Sequence, residues 1–248
     1  MPVAKPLAQT NVQLFNQLID AGYAAQDVAA IRDAYVLAAR LFSSLYRASG
    51  KTFVAHAVGT ASALAEARAP AAVVVAGLLH AAYTHGDFGT LRRRIDARKR
   101  GRLSATIGAR AESLVHAYAT QPWDEAVVRD ALERPGLDPR RDVLLMRLAN
   151  ELDDADERAG LYTAQWRRYV ADARTLLPLC AAYARRLDAE PLAVRLENAA
   201  AVTLESPSPL VSTFAGSASL AVPPASLRPR VRLVARSIFN AGRPRRRL

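Results

Sequence analysis

Between Lys51 and Phe88 the chain reads KTFVAHAVGTASALAEARAPAAVVVAGLLHAAYTHGDF, two apolar stretches of helical character that each deliver one histidine. His56 sits in one helix-like stretch, and His80 ends the apolar run Ala72 to Leu79. A third stretch follows about seventy residues later, Val143 to Asp154, amphipathic and ending in Asn150, Glu151, Asp153 and Asp154. The order is a histidine, an apolar helix ending in a histidine, then a helix bearing amide and acidic groups.

The rest of the chain agrees with an all-α fold. Its 248 residues hold only 12 Gly and 14 Pro, 51% are hydrophobic, and helix-favouring Ala and Leu abound. Thr10 and Asn11 read as the cap of a first helix ended by Gly22, and Gln26-Asp27 open a second. Thr52 caps the His56 helix, and Pro70 begins the next, Ala71 to Tyr83. A basic loop precedes a helix over Leu103 to Tyr118, and Asp124 caps another. Helices are expected over Arg141 to Arg158, Leu161 to Leu187 and Leu192 to Leu204. From Ser206 the composition turns to Ser, Pro and Arg. This divides the chain into a helical domain, 1–205, and a Pro/Ser-rich linker with a basic C-terminal arm, 206–248.

Net charge is +11 and lysine occurs only at Lys5, Lys51 and Lys99, so arginine supplies nearly all the positive charge. An anion-binding surface is one reading, and a background bias toward Arg and Ala is the favoured one, because the arginines are spread over many segments. Aromatic residues make up 6% and do not alternate with the basic runs. That disfavours a base-stacking platform. The single cysteine, Cys180, lies in an apolar helix and reads as a buried thiol. No apolar run reaches the roughly 18 residues of a membrane span, and the N-terminus has no signal-peptide pattern. A cytoplasmic protein is the expectation.

Arg47 to Phe53 with His56, the run Ala76-Gly77-Leu78-Leu79-His80, Ile107 to Val115, and Leu144 to Leu152 together resemble the hydrolase domain of the RelA/SpoT alarmone enzymes, within the HD superfamily. Gly59-Thr60 and the run Leu78 to Tyr83 are also similar to an uncharacterised HD-like branch in which the paired aspartate is absent. The resemblance implies an HD-like helical bundle, here with a basic C-terminal extension. It also implies a divalent metal, manganese or iron. His56, His80, Ala81 and Asn150 fall on the four ligand positions. Ala81 has no donor atom, Asn150 offers only a neutral carbonyl oxygen, and the acidic pair expected next falls on Thr84-His85.

Such a metal needs charged oxygen ligands to be held firmly. Asp153 and Asp154 lie three and four residues past Asn150 on the same face, roughly 5 Å along the axis. The expected metal set is then His56, His80 and Asp154, and a metal-free centre is the alternative. His56, His80 and Asn150 are the candidate catalytic residues. Tyr83, Thr84, Arg94 and Arg98 are the candidate substrate contacts, with Arg94 and Arg98 sharing a helical face. The expected function is an enzyme acting on a small phosphate- or carboxylate-bearing molecule, possible as a homo-oligomer. A catalytically inactive HD-like fold that binds a ligand, and a nucleic-acid or anionic-surface binder, are the alternatives. Two structural readings compete as well. The histidines can be satisfied by backbone carbonyls or by Asn150, and the acids around Asp153 can be a solvated face paired with Arg147 or Arg158. His85 reads as a loop residue and His116 as packing. The enzymatic reading requires the two imidazoles to converge.

Overall fold

The structure is a computed structural model and describes residues 6–47, 49–89, 94–136, 138–156, 161 and 166–205. The expected linker and arm, Arg92, Arg93, Glu157 and Arg158 lie outside the described residues. The fold is all-α. Its helices are α1 Asn11–Asp20, α2 Ala25–Leu41, α3 Phe53–Glu66, α4 Ala71–Leu78, α5 Ala82–His85, α6 Ala97–Thr120, α7 Glu125–Glu133, α8 Arg141–Asp156, α9 Trp166–Arg174, α10 Leu176–Arg186 and α11 Glu190–Glu205.

The caps named from sequence do their work. Thr10 forms a capping box with Gln13, Thr52 accepts from Ala55 N at 3.1 Å, and Asp124 accepts from Val127 N at 3.0 Å. Each satisfies a backbone donor that the first turn leaves without a helical partner.

α3 is the axis of the bundle. Every residue from His56 to Ala65 is buried, and α1, α2, α4, α8 and α11 pack around it. Its composition explains how five neighbours fit: Ala, Gly, Ser and Thr fill most of these positions, so backbones approach closely. Gly77 of α4 faces Leu64 so tightly that an added Cβ would sit 2.4 Å from Leu64 Cδ1. Gly59 is tighter still. A Cβ there would meet Asp153 Oδ1 of α8 at 1.7 Å. Ser62 ties α3 to the N-terminal segment and α1. It accepts from Ala8 N at 2.9 Å and donates to Gln17 Oε1 at 2.6 Å.

Three expected helices differ. The run Ala71 to Tyr83 is not continuous: α4 stops at Leu78, residues 79–81 form a turn, and α5 is a separate short helix. Here Leu79 N reaches Ala76 O and His80 N reaches Gly77 O, a three-residue reach replacing the four-residue ladder. The expected helix Leu161 to Leu187 is divided at Thr175 into α9 and α10, with Pro178 in the first turn of α10, where its missing N–H costs nothing. α6 begins at Ala97 rather than Leu103, because Asp96 caps it through Lys99 N at 2.9 Å. It bends at Gly108, whose φ of 81° and ψ of 158° are open to glycine. A second layer, α7 and α9 to α11, packs on α8 and buries Cys180 and Tyr183.

The Gly59 contact gives a stability prediction. Gly59→Ala should lower unfolding free energy by about 2–3 kcal/mol, because neither the α3 backbone nor buried Asp153 has room to yield. Gly101→Ala, in α6 with open space around the new methyl, should instead add up to ~1 kcal/mol. Urea titrations of the two variants beside the parent chain check both signs.

Candidate functional site

Four segments meet at one end of α3. α3 carries His56. The turn after α4 carries His80. The loop before α3 carries Arg47 and Lys51, and the last turns of α8 carry Asn150, Asp153 and Asp154. The loop is pinched by an antiparallel bridge between Tyr46 and Thr52 and by Arg47 N donating to Lys51 O at 2.8 Å. Gly50 takes a φ of 88° in it. The pinch turns both cations toward α8.

The two imidazoles converge. His56 Nε2 and His80 Nε2 are 3.1 Å apart, with the rings 5.0 Å between centroids and nearly perpendicular. The exposure of His56 is 0% and of His80 3%, so neither ring meets bulk water. The other nitrogen of each ring is held by an acceptor. His56 Nδ1 lies 2.7 Å from Asp153 Oδ2, and His80 Nδ1 lies 2.7 Å from Gly77 O. A carbonyl or carboxylate oxygen can only accept, so both Nδ1 atoms carry the proton. Burial drives the pKa of both rings well below the usual histidine value, aided for His56 by Arg47 and Lys51 and for His80 by His56. Two neutral Nδ1–H imidazoles therefore bring two Nε2 acceptors together, and Arg47 Nη1 lies 3.0 Å from that of His56.

Charges surround the pair. Lys51 Nζ donates to both oxygens of Asp153, at 2.8 and 3.0 Å. Arg47 uses its fork: Nη1 lies 3.0 Å from His56 Nε2, and Nη2 is 2.6 Å from Asp154 Oδ1. Asp154 Oδ1 is also 3.6 Å from His56 Nδ1. Asn150 weakly opposes the lowering of the His56 pKa, while the contacts of the His56 ring nitrogens are Asp153, His80 and Arg47. Desolvation pushes the Asp153 carboxyl up against the opposing pull of Lys51, and pushes Asp154 up to about 6 against Arg47. Arg47 and Asp154 are the partly exposed members, at 29% and 31% for their side chains, so the centre meets solvent on their side.

His56, Asp153 and Asp154 each offer a donor atom within 4.8 Å of the others, and this group could hold a metal ion. The expected set was His56, His80 and Asp154. The structure divides it between the two nitrogens of His56: Nε2 faces His80, while Nδ1 faces the carboxylates. The Nε2 pair fits two adjacent ligands of one ion, since bonds of ~2.1 Å meeting near a right angle span about 3 Å. The carboxylates do not complete that set as they stand, because Lys51 and Arg47 hold them and Arg47 also covers His56 Nε2.

The remaining candidates divide. The Tyr83 hydroxyl donates to Glu112 Oε1 at 2.6 Å, and Arg100 holds the same carboxylate at 2.7 Å, so Tyr83 fastens the histidine turn to α6. Thr84 donates to Ala81 O and contacts His85 Nδ1. His85 is exposed and its ring lies 4.7 Å from Phe53. Arg94 and Arg98 do not share a helical face: Asp96 starts α6 between them, Arg94 precedes the helix, and both side chains are exposed. Ala81 is buried beside His80 and presents only a methyl group. Asp153 and Asp154 are not a solvated face, and their partners are Lys51 and Arg47. Arg147 instead lies over the Tyr118 ring at 3.7 Å.

Sequence reasoning missed Arg47, Lys51 and Gly59 as parts of the site. Lysine is nearly absent from this arginine-rich chain, and Lys51 four residues after Arg47, just before a capped helix, was the available signal. A family model described as a domain of unknown function (DUF6817) matches residues 37–122. That is about a third of the chain; it spans both histidines and both cations and ends before α8. No curated protein matches the chain.

The titrations oppose one another, and their signs give a test. His56 and His80 are depressed below 6.5, so their contribution to stability is present above that pH and lost as pH falls. Asp154, raised to about 6, contributes below its unfolded pKa of 3.8 and loses that contribution as pH rises through about 6. His80→Gln should therefore gain stability relative to the parent chain on going from pH 7.5 to 5.5, by up to about 1.4 kcal/mol per pH unit below 6.5. Asp154→Asn should shift in the opposite direction. Urea midpoints at the two pH values, read as differences from the parent, check both.

Proposed function

We propose that the chain is a divergent HD-superfamily enzyme that acts on a small anionic substrate through its two-histidine centre. The observation that carries this reading is the pair of buried Nε2 lone pairs 3.1 Å apart, each fixed by an acceptor on its far nitrogen. Two acceptors this close repel, and Arg47 Nη1, 3.0 Å from His56 Nε2, relieves only one of them, so packing alone does not explain the arrangement. It gains stability when an electron-poor group, such as a proton or a cation, comes between the rings.

The substrate's phosphate or carboxylate would enter from the Arg47 and Asp154 side and pair with the guanidinium fork, whose geometry suits such groups. Pairing offsets the Arg47 charge that adds to burial in lowering the His56 pKa, so the imidazole becomes more basic once substrate is bound. A basic imidazole can then take a proton from water or from the substrate. Asp153 holds the ring and favours the resulting cation. Asn150 stays beside His56 as a positioning residue. Thr84, Arg94 and Arg98 are exposed and remain candidates for the outer part of the substrate. The resemblance to metal-dependent hydrolases adds manganese or iron as the candidate ion.

A second reading, a catalytically inactive HD-like fold that binds a ligand, is favoured by the closed pairing of Asp153 and Asp154 with Lys51 and Arg47. The nucleic-acid reading has weaker support. Arg47, Arg100, Arg110, Arg129, Arg134, Arg140, Arg185 and Arg195 all stand in ion pairs with acids, which leaves less charge for phosphates.

Thermal stability with inorganic phosphate, pyrophosphate, nucleotides and dicarboxylates separates these. One class should stabilise the chain by about 2.7 kcal/mol at a hundredfold excess over Kd, and Arg47→Met should remove the effect. His56→Ala and His80→Ala should abolish turnover of that ligand. Binding that persists without turnover in the parent chain selects the inactive reading. A flat response across the panel overturns both.

A further inference from the structure

We infer that Arg47 is the resident cation of the two-histidine centre, and that its guanidinium and a divalent metal ion exclude each other there. The inference rests on the reading above and adds how metal access is controlled.

The donor atoms make the first argument. Arg47 takes His56 Nε2 at 3.0 Å with one nitrogen and Asp154 Oδ1 at 2.6 Å with the other. Those are the atoms a metal between the histidine pair and the α8 acids would need. The single lone pair of Nε2 serves one electron acceptor at a time, so an ion on that atom requires Arg47 to leave. Withdrawal of one side chain frees both ligands together.

Charge makes the second. Arg47 pairs with Asp154 and Lys51 with Asp153, one cation to each carboxylate. These ion pairs balance with Arg47 in place. A divalent ion added beside Arg47 would leave two uncompensated charges away from water, whereas an ion replacing Arg47 leaves one. Exchange thus costs less than addition.

Mobility makes the third. Arg47 belongs to a loop rather than a helix, its side chain is 29% exposed, and it already leans over the Phe53 ring at 5.8 Å. Lys51, at 10%, is deeper and grips both oxygens of Asp153. Of the two cations, Arg47 has the path to solvent.

Cobalt(II) and manganese(II) titrations of the full chain, followed by calorimetry and for cobalt by visible absorption, test this. Arg47→Met should bind one ion per chain at least tenfold tighter than the parent, and adding His56→Ala should remove that site. Arg47→Gln, neutral but able to hydrogen-bond, serves as the second variant and should also bind more tightly than the parent. Circular dichroism reports whether each variant is folded. In the parent chain itself, zinc at saturation should shift the Nε2 nitrogen resonances of both histidines and speed exchange of the Arg47 Nε proton. If Arg47→Met or Arg47→Gln binds within twofold of the parent or more weakly, the exclusion is overturned. Slow Arg47 exchange in the zinc-loaded parent overturns it as well. In either case, metal or anion binding that depends on His56 would leave the two-histidine reading standing. If no chain binds metal, the exclusion falls alone so long as the anion response persists.

Discussion

Asp153 is the residue on which the arrangement turns. It is 1% exposed, it comes from α8, and it touches three things at once: the α3 backbone at Gly59, the His56 ring and the Lys51 ammonium. A buried carboxylate is costly unless paired and fully hydrogen-bonded. Lys51 supplies the charge and His56 Nδ1 a further donor. Gly59 supplies the space, because any side chain there would hold α8 off. The tightest helix contact in the core and the polarity of the site are therefore the same contact.

The orientation of the histidines follows from it. With Asp153 on Nδ1, His56 must aim Nε2 away from α8 and toward the α4 turn. His80 meets it there because the Gly77 carbonyl accepts its Nδ1 proton at the point where the helix tightens and ends. The break after Leu78 is thus part of how the ring is aimed. Tyr83, tied to Glu112 and Arg100, then fixes the far side of the turn against α6.

The all-α fold and most helix starts were legible because they depend on local chemistry: a Thr or Asp with a free backbone donor three residues on, or a Pro where no donor is needed. Breaks after Leu78 and at Thr175 were less visible, since apolar periodicity runs through both and the interruption comes from tertiary bonds or a proline placed where helices tolerate it. The pairing of His56 and His80 came from the resemblance, which put both on ligand positions, and the structure brings the rings together. Their electrostatic partners were not legible. The acids read as a solvated face because Arg147 and Arg158 are the basic residues nearby in sequence, while the partners seen lie about a hundred residues earlier. Asn150 drew attention by its place in the resemblance, but the contacts to His56 come one turn later, from Asp153 and Asp154.

That long reach bears on how the centre is assembled. The stretch similar to the family model, 37–122, carries the histidines and the cations, and the acids come from α8 beyond it. Without α8, the nearly buried Lys51 would lose the Asp153 carboxylate it grips and the His56 ring would lose the acceptor that sets its tautomer. Neither is sustainable in a dry interior. A chain that keeps the first part must therefore bring an acidic helix to the same face of α3, or give up the burial of its histidines. The site is the seam between these two segments, and α8 docks in the one register that sets Asp153 over Gly59 and Asp154 beside Arg47.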